Sequence, residues 1–173
     1  TCNVTVSGCT FDVAGAVGVK SYTGGDKNLT IVDSTITEAG HSLVQAKGID
    51  GVLVESCKVY SKNGLNFNNS DNVVISGCEV DVKGYAVRFG ESAGGAGYAE
   101  TYAIKDSTLK SACDDGDAVI ILRGTADYAT LTIDNTTLEG TLEITNNATD
   151  ATVIIDGVGP EVPAHTHTAC PTC

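Results

Sequence analysis

One nine-residue phrase recurs seven times along this chain, and it restricts the fold more than any single residue does. It first reads Asn3-Val4-Thr5-Val6-Ser7-Gly8-Cys9-Thr10-Phe11 and returns as Asn28-Leu29-Thr30-Ile31-Val32-Asp33-Ser34-Thr35-Ile36. It recurs from Gly51 to Val59, Asn72 to Val80, Thr101 to Leu109, Thr130 to Leu138 and, degraded, Thr152 to Gly159. Successive starts lie 25, 23, 21, 29, 29 and 22 residues apart. Short alternating apolar runs at such a period belong to a solenoid, in which each repeat buries its apolar face only against its neighbours.

Three short strands can be traced in each repeat. The first alternates, with Val4/Val6, Leu29/Ile31, Val52/Val54, Val73/Ile75, Tyr102/Ile104, Leu131/Ile133 and Val153/Ile155 predicted inward. After a two-residue corner, a rung of Cys9, Ser34, Cys57, Cys78, Ser107 and Thr136 turns inward, followed two residues on by Phe11, Ile36, Val59, Val80, Leu109 or Leu138. A glycine marks the next bend, and a third apolar segment follows: Val17/Val19, Leu43 or Val44, Leu65/Phe67, Val87/Phe89, Val119/Ile121 and Leu142/Ile144. Three strands per turn give an all-β, right-handed parallel β-helix of about seven coils, the hand following from the rule for parallel crossovers. An antiparallel sandwich is the rival, but it would not need the same residue class at the same offset in every third strand. The expected organisation is one β-helix over residues 1–159 and a tail, or the start of a following module, over residues 160–173.

The phrase Asn72-Val73-Val74-Ile75-Ser76-Gly77-Cys78-Glu79-Val80 resembles the parallel β-helix repeat of the pectin-lyase-like superfamily, and the resemblance runs from Asn3 to about Gly159. That superfamily includes lyases, hydrolases, phage tailspikes and bacterial surface adhesins, so the resemblance implies a fold and leaves the activity open. Cys113-Asp114-Asp115-Gly116-Asp117 looks like the paired-aspartate segment of its hydrolases, and Gly40-His41 like a fragment of their histidine segment. The order is wrong, however: His41 precedes the aspartates, and Ser42 stands where glycine is expected. The aspartates also fall on a bend that every coil possesses, where Asp is ordinary turn chemistry. No catalytic residues are therefore expected. Calcium is the one cofactor the acidic turn suggests, since its carboxylates and carbonyls are hard oxygen ligands.

Charge narrows the partners. Ten basic against 22 acidic residues give a net charge of −12, which repels phosphate backbones and anionic membrane surfaces. No apolar run approaches the roughly 20 residues of a spanning helix, so neither nucleic acid nor membrane insertion is expected. Thr1 begins no signal peptide, so the chain reads as a processed piece of a longer precursor. Absent Met and Trp, and Asn-x-Ser/Thr sequons at Asn3, Asn28, Asn68, Asn135 and Asn147, suggest a secreted or cell-surface protein.

Seven cysteines leave at least one outside any intramolecular pairing. Cys57 and Cys78, stacked on successive rungs, are expected as buried thiols. The tail His165-Thr166-His167-Thr168-Ala169-Cys170-Pro171-Thr172-Cys173 departs from the repeat. There, pairing of Cys170 with Cys173, or of one of them with Cys2 of this or a neighbouring chain, is favoured over a zinc site. Tyr22, Tyr85, Arg88, Arg123 and Tyr128, with Asn66 nearby, cluster on and after the third strands, where aromatic faces and planar amides suit sugar rings. The resulting expectation is a non-catalytic module for adhesion or structural spacing, with carbohydrate or a host or cell-surface protein as partner. A self-assembling filament or coat is the first alternative and a polysaccharide lyase or hydrolase the second.

Overall fold

The computed structural model describes residues 2–12, 15–22, 27–37, 40–91, 99–112, 118–144, 148 and 150–156. Coil one comprises the strands Cys2–Ser7, Thr10–Phe11 and Val17–Tyr22, and coil two Lys27–Val32, Thr35–Ile36 and Ser42–Lys47. Coil three runs through Asp50–Glu55, Lys58–Ser61 and Leu65–Asn68, and coil four through Asp71–Ser76, Glu79–Val82 and Val87–Phe89. Coil five has Thr101–Lys105, Thr108–Ser111 and Ile120–Leu122, then a 3-10 turn at Gly124–Ala126. Coil six has Thr130–Asp134, Thr137–Glu139 and Leu142–Ile144, and Thr152–Ile155 opens a seventh. The first strands form a seven-stranded sheet, and the second and third strands form six-stranded sheets, all strictly sequential and parallel. The described residues thus make six complete coils and the first strand of another, slightly short of the seven read from the repeat.

The inward columns hold the core. Leu29, Ile31, Val52, Val54, Val73, Ile75, Ile104, Leu131 and Ile133 line the first sheet at 3% exposure or less. Each such aliphatic contributes about 1.5–3 kcal/mol by leaving water. Phe67 and Phe89 stack across successive coils with ring centroids 5.7 Å apart, and Tyr102 continues the stack at 4.0 Å from Phe89. Only the outermost coils break the pattern: Val4 and Ile155, both at inward positions, are 45% and 41% exposed because they have a neighbouring coil on one side alone among the described residues.

The corner between the first and second sheets is the most regular part of the chain. Gly8, Asp33, Ser56, Gly77, Asp106, Asn135 and Asp156 all sit there in the left-handed region, with φ between 44° and 62°. Gly reaches that region freely, and Asn and Asp tolerate it because their short side chains bond locally. Asn135 Nδ2 donates to Asp106 Oδ1 of the preceding coil at 2.7 Å, and the Asn135 amide donates to Asp156 Oδ1 at 2.9 Å. The next residue is the rung. Ser34 Oγ donates to the Val32 carbonyl at 2.8 Å and accepts the Cys9 amide at 3.2 Å. Ser107 Oγ does the same with Lys105 O and the Cys78 amide at 2.8 and 3.1 Å. The rung therefore satisfies backbone groups that a buried corner would otherwise orphan.

The third strand of coil five corrects the expected alternation. Register pairs Val87 with Ile120 and Phe89 with Leu122, so Ile120 and Leu122 point inward and Ile121 falls opposite Arg88 on the outer face. Val119 packs in the core at the bend before the strand, but Ile121 was the wrong partner for it because the run Ala118-Val119-Ile120-Ile121-Leu122 is apolar at every position. Ile121 is buried all the same, in a small outer cluster with Tyr85 and Ala118. In coil two, register with Val19 and Leu65 assigns the inward place to Val44.

Candidate functional site

The outer face of the third sheet carries Lys20, Gln45, Asn66, Arg88, Ile121 and Glu143 on consecutive coils, in register. Side chains on this column stand about 4.8 Å apart, so planar groups can bond across coils. Arg88 Nε donates to Asn66 Oδ1 at 3.3 Å, and its guanidinium lies 4.1 Å from the centroid of the Tyr85 ring. Two coils away, Tyr22 donates its hydroxyl to Gln45 Oε1 at 2.9 Å while the Lys20 ammonium lies 4.7 Å from its ring centroid. Lys47 pairs with Glu91 at 2.5 Å.

Four of the six residues expected to bind saccharide thus share one face: Tyr22, Asn66, Tyr85 and Arg88. Their roles differ. Tyr85 and Asn66 are only 2% and 3% exposed, and Arg88 covers the Tyr85 ring, so Tyr85 acts as a platform for the guanidinium and offers no open stacking surface. Tyr22, 47% exposed, is the aromatic that faces solvent. Arg123 and Tyr128 flank the 3-10 turn after coil five, beyond the strand column; the Arg123 amide bonds to Phe89 O at 3.0 Å and Tyr128 is exposed.

Reading along the chain did not connect Gly40-His41 with this face, yet the bend between the second and third sheets brings them together. The Asn63 amide donates to His41 O at 2.7 Å, and the Gly64 amide to Tyr85 O at 2.9 Å, so His41, Asn63 and Tyr85 sit on successive coils. His41 Nδ1 lies 2.9 Å from Ser42 Oγ, and Nε2 lies 3.4 Å from Asn63 Nδ2. Burial, then the charges of Lys62 and Arg88, hold the imidazole below its ordinary pKa, so it is neutral at pH 7. Asn63 was missed; nothing in its local sequence marks it, because its neighbour comes from a coil 22 residues away.

A second polar cluster, also unmarked in the sequence, joins coils four and five. Glu100, 5% exposed, accepts a hydrogen bond from the Tyr102 hydroxyl, and burial pushes its carboxyl up to about 7 against the opposing pull of that bond, with Asp71 adding to the rise. Asp71 Oδ1 in turn accepts the Thr101 amide at 2.7 Å and the Thr101 hydroxyl at 3.0 Å. A shallow open groove of about 510 Å³ crosses the first corner, with Cys57 and Cys78 among its lining residues.

The acidic turn Cys113 to Asp117, which suggested calcium without fixing a metal site, lies outside the described residues, as do Cys170 and Cys173. Cys2 belongs to the first strand of coil one. Cys9, Cys57 and Cys78 are free thiols. No described helix is long and apolar enough to cross a membrane.

Residues 1–148 match the family described as a right-handed β-helix region. Comparison with curated proteins and with solved structures gave no match.

Proposed function

The chain belongs to the right-handed β-helix family, and on that premise we propose that it is a non-catalytic extracellular module serving adhesion or structural spacing, with weak carbohydrate binding on the outer face of its third sheet. We take residues 1–159 as the β-helix and residues 160–173 as a tail or the start of a following module. The observation that carries the reading is the register row Gln45–Asn66–Arg88 with Tyr22 beside it: a planar amide, a guanidinium pinned by Tyr85 and Asn66, and one exposed aromatic ring along a rigid strand face. Such groups give hydroxyls donors and acceptors at fixed positions, and Tyr22 supplies an apolar ring for the face of a sugar. His41, at the bend beside this face, has both ring nitrogens engaged by Ser42 and Asn63, which supports binding over catalysis.

A saccharide array tests this reading. The wild-type chain is expected to retain a subset of glycans, with signal falling in Arg88→Ala and Tyr22→Ala while circular dichroism stays unchanged. Retention unaffected by both substitutions sinks the carbohydrate part and leaves the spacer. Turnover of an acidic polysaccharide lost in Asp114→Ala or His41→Ala overturns the non-catalytic reading altogether.

A second reading, end-to-end self-association, draws on Val4 and Ile155. Both are apolar, at inward positions of the two outermost described coils, and exposed. Unpaired strand edges beside such residues are templates for another chain. Light scattering over a concentration series checks it: Val4→Asp and Ile155→Asp should each lower the particle mass if copies stack, and a concentration-independent monomer removes this reading.

A further inference from the structure

We propose that Cys57 and Cys78 form a two-thiolate clamp for a thiophilic d10 cation, mercuric or cuprous in kind. They occupy the rung on coils three and four, and the residues after them stay in register, Lys58 with Glu79 and Val59 with Val80. The Glu79 amide bonds to Cys57 O at 2.9 Å, so the two cysteines are direct neighbours across the ladder. At every other step the rung changes to Ser or Thr on one side at least, and these two thiols alone stack.

The spacing selects the ligand. In-register residues of adjacent parallel strands stand about 4.8 Å apart. A disulfide needs sulfurs about 2.05 Å apart and Cβ atoms near 3.8 Å, which a flat stack does not supply, and both thiols are free. Metal–thiolate bonds are about 2.3 Å, so a linear sulfur–metal–sulfur unit spans roughly 4.6 Å, close to the strand spacing. Thiolates favour soft cations. Each thiol now bonds at long range to carbonyls, Cys57 to Glu55 O at 3.2 Å and Ile31 O at 3.6 Å, Cys78 to Ser76 O at 3.4 Å and Val54 O at 3.5 Å, and the two thiols bond to each other, so a bound metal takes the place of that thiol–thiol contact.

The open groove over this corner has Cys57, Cys78, Lys58 and Gly77 among its lining residues, and Gly77 leaves it uncrowded; the two cysteines are 0% and 2% exposed, so a cation reaches the sulfurs as the corner opens. Binding breaks two S–H bonds, forms two metal–sulfur bonds and passes two protons to water. A divalent cation leaves a neutral product, which a buried corner accommodates, whereas a monovalent one leaves a single negative charge, which burial disfavours. Because binding releases protons from the thiols, affinity should rise with pH.

The test uses the full chain, reduced, with Cys2, Cys9, Cys113, Cys170 and Cys173 changed to Ser. Serine already fills the rung at positions 34 and 107, so Cys57→Ser and Cys78→Ser should fold. Mercuric chloride, and separately cuprous ion against bicinchoninate, is titrated while charge-transfer absorbance and proton release are followed. The expected result is one metal and two protons per chain and a two-sulfur shell near about 2.3 Å by X-ray absorption. Binding should be lost in either further Ser variant. Absence of binding by a folded chain, a shell of three or more sulfurs, or metal-linked dimers overturns the proposal. Should the five-serine protein not fold, the native chain is mapped by alkylation after one equivalent of mercuric ion: joint protection of Cys57 and Cys78 supports the clamp, and protection elsewhere defeats it.

Discussion

Ser34 shows what a rung residue contributes. Its hydroxyl is fully buried and serves two backbone partners at once, the carbonyl two residues back and an amide of the preceding coil. Ser34→Ala should cost about 1–3 kcal/mol, because both groups stay buried without a replacement. Ser34→Cys should cost less, since Cys57 and Cys78 keep the carbonyl bond at longer range; denaturant titration of both variants measures the ordering. Ser56 holds φ at 51° in a column otherwise made of Gly, Asn and Asp. Relieving that strain, Ser56→Gly should stabilise the chain by about 0.5–1 kcal/mol, seen as a rise in Tm. Glu100 sets a pH dependence. Its folded carboxyl is raised to about 7, so the folded state binds the proton more tightly than the unfolded chain does. That contribution is complete below the ordinary carboxylate range and is lost as pH rises through about 7, amounting to roughly 1–3 kcal/mol. His41, held low, works in the opposite direction below its ordinary pKa of 6.5. Comparing wild type with Glu100→Gln at pH 5 and pH 8 isolates the carboxylate: the gap between the two proteins should shift toward the variant at pH 8.

At the scale of elements, tight bends fix how closely coils approach. A Cβ on Gly64 would stand 2.0 Å from the Ala86 carbonyl oxygen of the next coil, a backbone atom that cannot swing aside. Gly64→Ala should therefore destabilise by about 1–3 kcal/mol and lower Tm correspondingly. This is also where legibility divides. The three strands per coil, the inward pairs of the first sheet and the rung were all readable, because each repeats at a constant offset and periodicity survives in one dimension. Coil five was misread at Ile121 since an all-apolar run carries no phase; only pairing with Val87 and Phe89 settles it. The grouping of His41, Asn63 and Arg88 was not readable, because proximity across coils depends on bend lengths that vary from repeat to repeat. That Arg88 lies over the Tyr85 ring was not readable, as a sequence does not say which of two neighbours covers the other.

For the whole molecule, the described strands pair from each coil to the next, so stability should be distributed along the axis. Native-state hydrogen exchange should find the slowest amides in coils three to five, around Phe67, Phe89 and Ile104, and the fastest in the strands of Val4 and Ile155. Uniform protection from end to end would contradict that gradient. The same architecture has a mechanical side. Strand-to-strand hydrogen bonds in a β-helix lie along its axis, so a force pulling the rod lengthwise loads successive coil junctions in series. Among the described residues, coil seven is held to coil six by one sheet with four register pairs, whereas coils one and two share pairs in all three sheets. Under tension a junction made through fewer sheets yields before one made through three, and each coil that opens releases roughly 70–100 Å of chain. A spacer built this way lengthens in steps under load, absorbing work before its attachments at either end must break.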